Sequence, residues 1–264
     1  MEWWLAYLLI GAIVGFLAGL LGIGGGMIIV PLLVFVFSAK GFPETILMHA
    51  SLGTAMATIL FTSISSVRAH HRHDAVDWRI ARAMAPGILV GGFAAPAIAA
   101  QLPTRPLAMF FTAFMFYAAA QMFFRVQPKS TRELPGSGGL FLAGGVIGIL
   151  SSLLAAGGAF LSIPFMTWCK VPLRRAIGTA AAIGFPIAAA GSIGYVINGL
   201  RIERLPQYSF GFVYLPALGL IVVTSMLAAP LGARLTHALP IAKLRVVFAL
   251  LLLAIGLRMV WTLW

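Results

Sequence analysis

Two glycine clusters inside apolar segments are the residues of this chain whose spacing favours ligand-binding chemistry. The first cluster lies between Gly15 and Pro31, and a weaker copy of the same segment begins 133 residues later, at Gly148. The clustered glycines are Gly24, Gly25, Gly26, Gly157 and Gly158. Because each glycine costs a helix about 1 kcal/mol relative to alanine, such a run predicts a break in the helix. Matched breaks in two halves are typical of a transporter's binding site.

The predicted chemistry of these breaks is anion binding by backbone amides. A helix that begins near Met27 directs its N-terminal N–H groups and the positive end of its dipole at the first break, and its counterpart does the same after Gly158. Two such ends meeting in the membrane would hold an anion without a buried cation. The alternative is that the glycines only permit close helix packing. Their duplication, with Pro31 and Pro164 following, favours a functional break.

A second matched pattern supplies candidate hydroxyl donors for the same anion. Gly53 and Thr54 recur as Gly178 and Thr179, and Ser51 lies just before the first pair. We therefore interpret Ser51, Thr54 and Thr179 as candidate substrate-binding residues. The alternative for each is a hydroxyl that bonds back to a carbonyl of its own helix, which is common.

The composition requires these residues to be positioned by membrane helices. Apolar residues make up 61% of the 264 residues, charged residues make up 9%, and the mean hydropathy is +1.02. This composition predicts an all-α integral membrane protein with the lipid bilayer as its partner. The net charge of +12 lies in short loops between apolar stretches. That placement follows the positive-inside rule and predicts no nucleic-acid partner.

Eight apolar stretches can be marked, and two of them are too long for one crossing. The first, with 36 residues, would form a helix of about 54 Å, whereas a hydrocarbon core is about 30 Å thick. The first and fifth stretches, which carry the glycine clusters, must therefore tilt, project or fold back as re-entrant hairpins. The stretches cover residues 3–38, 45–67, 80–101, 105–125, 139–168, 173–199, 210–232 and 243–264.

The basic residues favour the hairpin alternative. If both long stretches return to the side they entered from, the 18 lysines and arginines divide 13 to 5 between the two faces. Each half then has three crossings and one hairpin, so the second half is an inverted copy of the first. The predicted organisation is a first repeat over residues 1–125, a cytoplasmic linker over 126–138 and a second repeat over 139–264, with both termini outside.

Missing motifs narrow the function further. No Asp or Glu lies within a predicted crossing, which favours an anionic substrate over a cation. The sequence has no Walker A, H-E-x-x-H or G-x-S-x-G pattern, so we expect no enzyme activity, cofactor or catalytic metal. The histidines from His70 to His73 are expected to lie in a cytoplasmic loop. A passive anion channel and a membrane-embedded enzyme are the alternatives, and a homo-oligomer is left open.

These motifs resemble the TauE/SafE family of sulfite exporter-like membrane proteins. The resemblance rests on G-x-x-x-G-L-L-G-I-G-G-G from Gly15 to Gly26, on Pro31 and on the Gly53-Thr54 pair, with the weaker copies in the second half. It covers essentially the whole chain. The resemblance implies a multi-pass permease of a bacterial or archaeal inner membrane that exports sulfite, thiosulfate or organosulfonates, with the glycine motifs lining the path.

The second glycine cluster departs from the family pattern. Ala155 and Ala159 stand where the family pattern has glycine, and Ser151-Ser152 replaces a more apolar pair. This departure leaves the identity of the substrate open, together with the coupling ion and the transport direction.

Overall fold

The architecture is a bundle of apolar helices with one short β-hairpin. The computed structural model describes residues 3–21, 25–124, 132–236 and 241–263. The elements in chain order are α1 (Trp3–Leu21), α2 (Gly26–Ala39), α3 (Glu44–Arg72), α4 (Trp78–Gln101), α5 (Thr104–Phe123), α6 (Ser137–Leu153), α7 (Ala159–Trp168), α8 (Leu173–Gly199), β1 (Ser209–Phe210), β2 (Val213–Tyr214), α9 (Leu215–Thr236) and α10 (Ile241–Leu263).

Both predicted helix breaks are present. The first long stretch divides into α1 and α2, and the fifth divides into α6 and α7. Gly25 precedes α2 with φ 62°, and Gly158 precedes α7 with φ 83°. Only glycine adopts this left-handed region at little cost, so the two glycines set the places where the new helices begin. Gly24 lies outside the described residues.

Each broken stretch folds back so that its two outer ends meet. The rings of Tyr7, near the start of α1, and Phe37, near the end of α2, lie 6.4 Å apart. In the second stretch, the Arg132 amide, ahead of α6, donates to the Trp168 carbonyl at the end of α7 over 3.3 Å. With 14 and 10 residues, α2 and α7 are about 21 and 15 Å long, too short to cross a core of about 30 Å. We call the pairs α1–α2 and α6–α7 the first and second hairpins.

Among the described residues, four helices are long and apolar enough to cross a bilayer: α3, α4, α5 and α8. All four match predicted crossings. The helix α9 and the helix α10, with 22 and 23 residues, occupy the last two predicted stretches. Many large apolar side chains are exposed on the outside of the bundle, for example Leu9, Val90, Leu142 and Leu227. Such a surface is suited to lipid contact.

Three boundaries differ from the prediction. The helix α3 continues to Arg72, so its last turn contains His70 and His71, which the sequence analysis assigns to a loop. The stretch predicted from residue 210 becomes helical only at Leu215, since β1 and β2 form an antiparallel pair before it. The helix α6 begins at Ser137, slightly before the start of the predicted apolar stretch at residue 139. Residues 125–131, which include part of the predicted linker, lie outside the described chain.

Helix packing in the bundle follows a reciprocal pattern. The first helix of each hairpin packs against a crossing helix of the other half, so that α1 contacts α9 and α6 contacts α4. Matched helices also pack directly, α3 with α8 and α5 with α10, and α8 packs against α4 as extensively as against α3. In α4, Gly91 lies against the backbone of α6, and a Cβ built there would meet the Ile149 amide nitrogen at 2.9 Å. In α6, a Cβ built at Gly148 would lie 2.7 Å from the Ile88 carbonyl oxygen of α4.

We predict that Gly91→Leu destabilises the protein because its side chain forces α4 away from α6. Overpacking of this kind costs about 1–3 kcal/mol or more. The measurement is the thermal unfolding midpoint of the purified protein in detergent. The matched control is Gly219→Leu in α9, where a Cβ meets nothing within 4 Å. An unchanged midpoint for Gly91→Leu would contradict the close packing of these two helices.

Candidate functional site

The tips of the two hairpins meet inside the bundle. Gly26, the first residue of α2, lies against the Ala155 carbonyl of the second hairpin so closely that a Cβ would collide with it. The side chain of Ile59 on α3 lies beside both tips, 2.6 Å from a Cβ built at Gly26 and 3.7 Å from one built at Gly157. Gly26 and Gly157 therefore lie at neighbouring tips, and a role of the four described glycines in substrate binding stays a prediction.

Each tip presents the N-terminus of a short helix. The Gly25 carbonyl accepts from the amides of Ile28 and Ile29, and the Gly158 carbonyl accepts from those of Leu161 and Ser162 in the same way. The first amides of any helix lack such intrahelical partners. Because the N-cap residue is glycine in both cases, it supplies no side-chain cap. Each tip thus combines the first amides of a helix with the positive end of that helix's dipole, which suits an anion.

The second tip contains a strained alanine and packs closely against α8. Ala155 adopts φ 45°, in the left-handed region that non-glycine residues rarely occupy. The first copy has Gly22 at the matching place in the sequence. A Cβ built at Gly184 on α8 would lie 2.9 Å from the Gly157 carbonyl oxygen, so α8 closes over this tip.

The predicted threonines hold the two halves together. The Tyr214 amide, just before α9, donates to the Thr54 hydroxyl over 3.0 Å. The Asp77 amide, just before α4, donates to the Thr179 hydroxyl over 2.9 Å. Both hydroxyls are fully buried. Each threonine therefore binds the chain at the start of a helix in the other half, an arrangement that differs from a bond within its own helix.

The glycine that precedes each threonine explains how the contact forms. A Cβ at Gly53 would come within 2.6 Å of the Phe212 carbonyl oxygen, and one at Gly178 would meet the backbone of Ala75 at 2.6 Å. In each pair, the glycine thus leaves room for a segment of the other half, and the threonine hydroxyl accepts a hydrogen bond from an amide of that segment. Ser51 differs, because its hydroxyl donates to the Leu47 carbonyl of its own helix over 2.8 Å. A role of these hydroxyls in substrate binding stays a prediction.

Four buried serines near the second hairpin are not among the substrate-binding residues that the sequence analysis predicts. Ser151 and Ser152 on α6, Ser162 on α7 and Ser192 on α8 are buried, and their hydroxyl oxygens have no hydrogen-bond partner. The signal in the sequence is the Ser151-Ser152 pair, which departs from the apolar residues of the family pattern. An unpartnered buried hydroxyl costs stability.

The outer end of the first hairpin is closed by aromatic residues. Phe37 stacks on Phe42 with ring centroids 4.5 Å apart, and both rings pack edge-on against Tyr214. The Lys40 ammonium donates to the Tyr214 hydroxyl and lies 4.4 Å from the centre of its ring. Beside this cluster is an open cavity of about 380 Å³ that Lys40 and Arg204 line.

Catalytic groups are sparse in the described part of the chain. There, no group of three His, Cys, Asp or Glu side chains lies close enough to hold a metal ion. Burial raises the pKa of the Cys169 thiol, while Arg132 opposes the shift, so the thiol is a weak nucleophile. Among the described helices, the one acidic residue is Glu44 at the start of α3, and it pairs with Arg105 at 3.1 Å on the surface.

Comparison with known proteins gives matches over nearly the whole chain. The family model described as Sulfite exporter TauE/SafE matches residues 7–259. A probable membrane transporter protein of Haemophilus influenzae is 35% identical over 254 residues, which cover 96% of each chain. Another from Methanocaldococcus jannaschii is 26% identical over 263 residues, or 96% of this chain and 93% of the relative. No solved structure matches the chain significantly.

We predict that Thr179→Val lowers the thermal unfolding midpoint, because it removes the hydrogen-bond acceptor of the partly buried Asp77 amide. The loss of such a bond costs about 1 kcal/mol. Thr179→Ser should restore most of the stability, since it keeps the accepting oxygen. The matched control is Thr112→Val, because the buried Thr112 hydroxyl donates to the Ala108 carbonyl of its own helix. Equal midpoints for Thr179→Val and Thr112→Val would contradict the proposed role of Thr179 in joining the halves.

Proposed function

Because this chain belongs to the TauE/SafE family of membrane transporters, we propose that it moves small sulfur-containing anions such as sulfite, thiosulfate or organosulfonates. Transport proceeds by alternating access around the two hairpin tips, and export is the direction that the family description favours. The protein is a multi-pass component of the bacterial inner membrane and acts as a transporter without enzymatic chemistry.

The meeting of two helix N-termini carries this proposal. A broken helix within a bilayer is tolerated only where protein or water satisfies the freed backbone groups. The contact of Gly26 with the Ala155 carbonyl buries both tips against each other. In that position, the amides at the starts of α2 and α7 provide an anion site that needs no lysine or arginine.

The reciprocal contacts support an inverted repeat. Exchanging each helix of the first half for its counterpart converts the Thr54–Tyr214 bond into the Thr179–Asp77 bond. The same exchange converts the contact of α1 with α9 into that of α6 with α4. In an inverted repeat, these equivalent contacts lie on opposite sides of the membrane, so one side can open while the other stays closed.

The charges favour an anionic substrate. Within the described helices, Glu44 at the start of α3 is the one acidic residue. No carboxylate is therefore available inside these helices to bind sodium or relay protons. The anion therefore meets dipoles and hydroxyls without competition from a fixed negative charge. The basic residues at the helix ends increase the local concentration of anions at the membrane surface.

We predict that Gly158→Ala lowers sulfite flux into proteoliposomes by at least about tenfold, the factor that corresponds to 1.4 kcal/mol. The alanine would have to adopt the left-handed φ of 83°, and its Cβ would lie 2.5 Å from the Ile187 side chain. The matched control is Gly41→Ala, which has the same φ of 83° but nothing within 4 Å of the new Cβ. The control carries the same backbone strain outside the tips.

Three outcomes would count against this function. Wild-type protein that moves neither sulfite, thiosulfate nor a sulfonate faster than empty liposomes would contradict the transport of sulfur anions. Equal flux in Gly158→Ala and Gly41→Ala would contradict a role for the tip. Ohmic anion currents, at rates far above carrier turnover, would favour a passive channel over alternating access.

A further inference from the structure

We propose that the second hairpin contains the oxyanion subsite of the carrier, formed by the hydroxyls of Ser151 and Ser162 together with the amides at the start of α7. This inference rests on the proposed transport function and names the side of the site that binds the anion's oxygens. The ligand class is a sulfur oxyanion whose head carries several acceptor oxygens, such as sulfite or a sulfonate.

Ser151 places a hydroxyl at the N-terminus of α7. Its oxygen lies 4.0 Å from a Cβ built at Gly158, the N-cap of that helix. The residue is fully buried and its hydroxyl has no partner. The Ser151 carbonyl accepts from the Ala156 amide over 3.0 Å, which fixes the serine against the turn that forms the tip. A donor is thus held ready beside the first amides of α7.

Ser162 adds a second donor one turn into α7. Its amide donates to the Gly158 carbonyl over 2.9 Å, so Ser162 and Gly158 lie on the same face of the helix. Its side chain is fully buried, and its hydroxyl also lacks a partner. Ser162 thus adds a buried, unpartnered hydroxyl to the helix whose N-cap, Gly158, lies beside the Ser151 hydroxyl.

Other buried hydroxyls of the bundle show the ordinary alternative. Ser51 donates to the Leu47 carbonyl and Thr112 donates to the Ala108 carbonyl, each over 2.8 Å within its own helix. This bond is the usual way for a buried hydroxyl in a helix to be satisfied. Ser151 and Ser162 leave it unmade, and Ser151 does so beside the N-terminus of α7, where a free donor can bind a transported ligand.

The first hairpin has apolar residues at both matching positions. Ala18 corresponds to Ser151 and lies 3.2 Å, through its Cβ, from a Cβ built at Gly25. Ile29 corresponds to Ser162 and is buried. Both α2 and α7 follow a left-handed glycine, but the two hairpins differ in side-chain donors at these positions. The oxygens of the substrate bind at the second tip, and the first tip closes against the rest of the molecule.

The test measures the Kd of sulfite from the ligand-dependent thermal shift, using the full-length protein in detergent, for wild type, Ser151→Ala and Ser162→Ala. Each substitution removes one oxygen, and we expect each Kd to rise by about tenfold, equivalent to one hydrogen bond to a charged group. The matched control is Ser152→Ala. Its hydroxyl is equally buried and unpartnered, but it lies near Gly92 and Gly191, 3.5 and 3.2 Å from Cβ atoms built there.

The outcomes separate this proposal from the proposed function. A wild-type Kd in Ser151→Ala and Ser162→Ala would overturn the subsite, while sulfite flux in wild type would still support transport. A lower midpoint without ligand and an unchanged Kd would assign the serines a structural role and also overturn it. If Ser151→Ala does not fold, Ser151→Cys replaces it, since the thiol fills the same place with a weaker donor. No sulfite binding in wild type would count against the subsite, and absent flux of every sulfur anion would count against transport.

Discussion

The structure depends on the constraint that a backbone polar group cannot remain unsatisfied in the hydrocarbon core of a bilayer. The chain breaks two of its apolar helices and so frees amides and carbonyls where water is scarce. It meets the constraint by placing the two breaks against each other, with Gly26 on the Ala155 carbonyl and Ile59 beside both tips. The absence of a Cβ at Gly26 is what permits this approach. The helices α2 and α7 therefore begin at neighbouring tips, where their first amides are available to the anion of the proposed function.

The two halves complete each other's secondary structure. The end of β2, just before α9, is bound by Thr54 of the first half, and the loop before α4 is bound by Thr179 of the second. The first helix of each hairpin packs on a crossing helix of the other half. Neither half therefore has all its backbone groups and packing surfaces satisfied alone. This interdependence accounts for the repetition of the Gly-Thr pair. In each copy, the glycine leaves room for a segment of the other half, and the threonine hydroxyl binds an amide of that segment.

The sequence predicts the local features and misses those that depend on distant partners. The breaks at Gly25 and Gly158 follow from glycine's cost within a helix, and the four described helices that are long enough to cross a bilayer follow from hydropathy. The bonds of Thr54 and Thr179 join residues 160 and 102 positions apart, so no local pattern could reveal them. The pair of β1 and β2 has two residues per strand, too few for a period. Ser162 lies in an apolar helix, and only the packed structure shows that its hydroxyl is unpartnered.

Tyr214 joins three parts of the protein that have different roles. Its amide is fixed to α3 through Thr54, its ring packs against Phe37 near the end of α2, and its hydroxyl accepts from Lys40. The next residue, Leu215, begins α9, which packs along α1. A displacement of the outer end of the first hairpin must therefore either break this set of contacts or pull the start of α9 with it. The tyrosine thus acts as a mechanical linkage, through which motion at the surface reaches a helix of the opposite half.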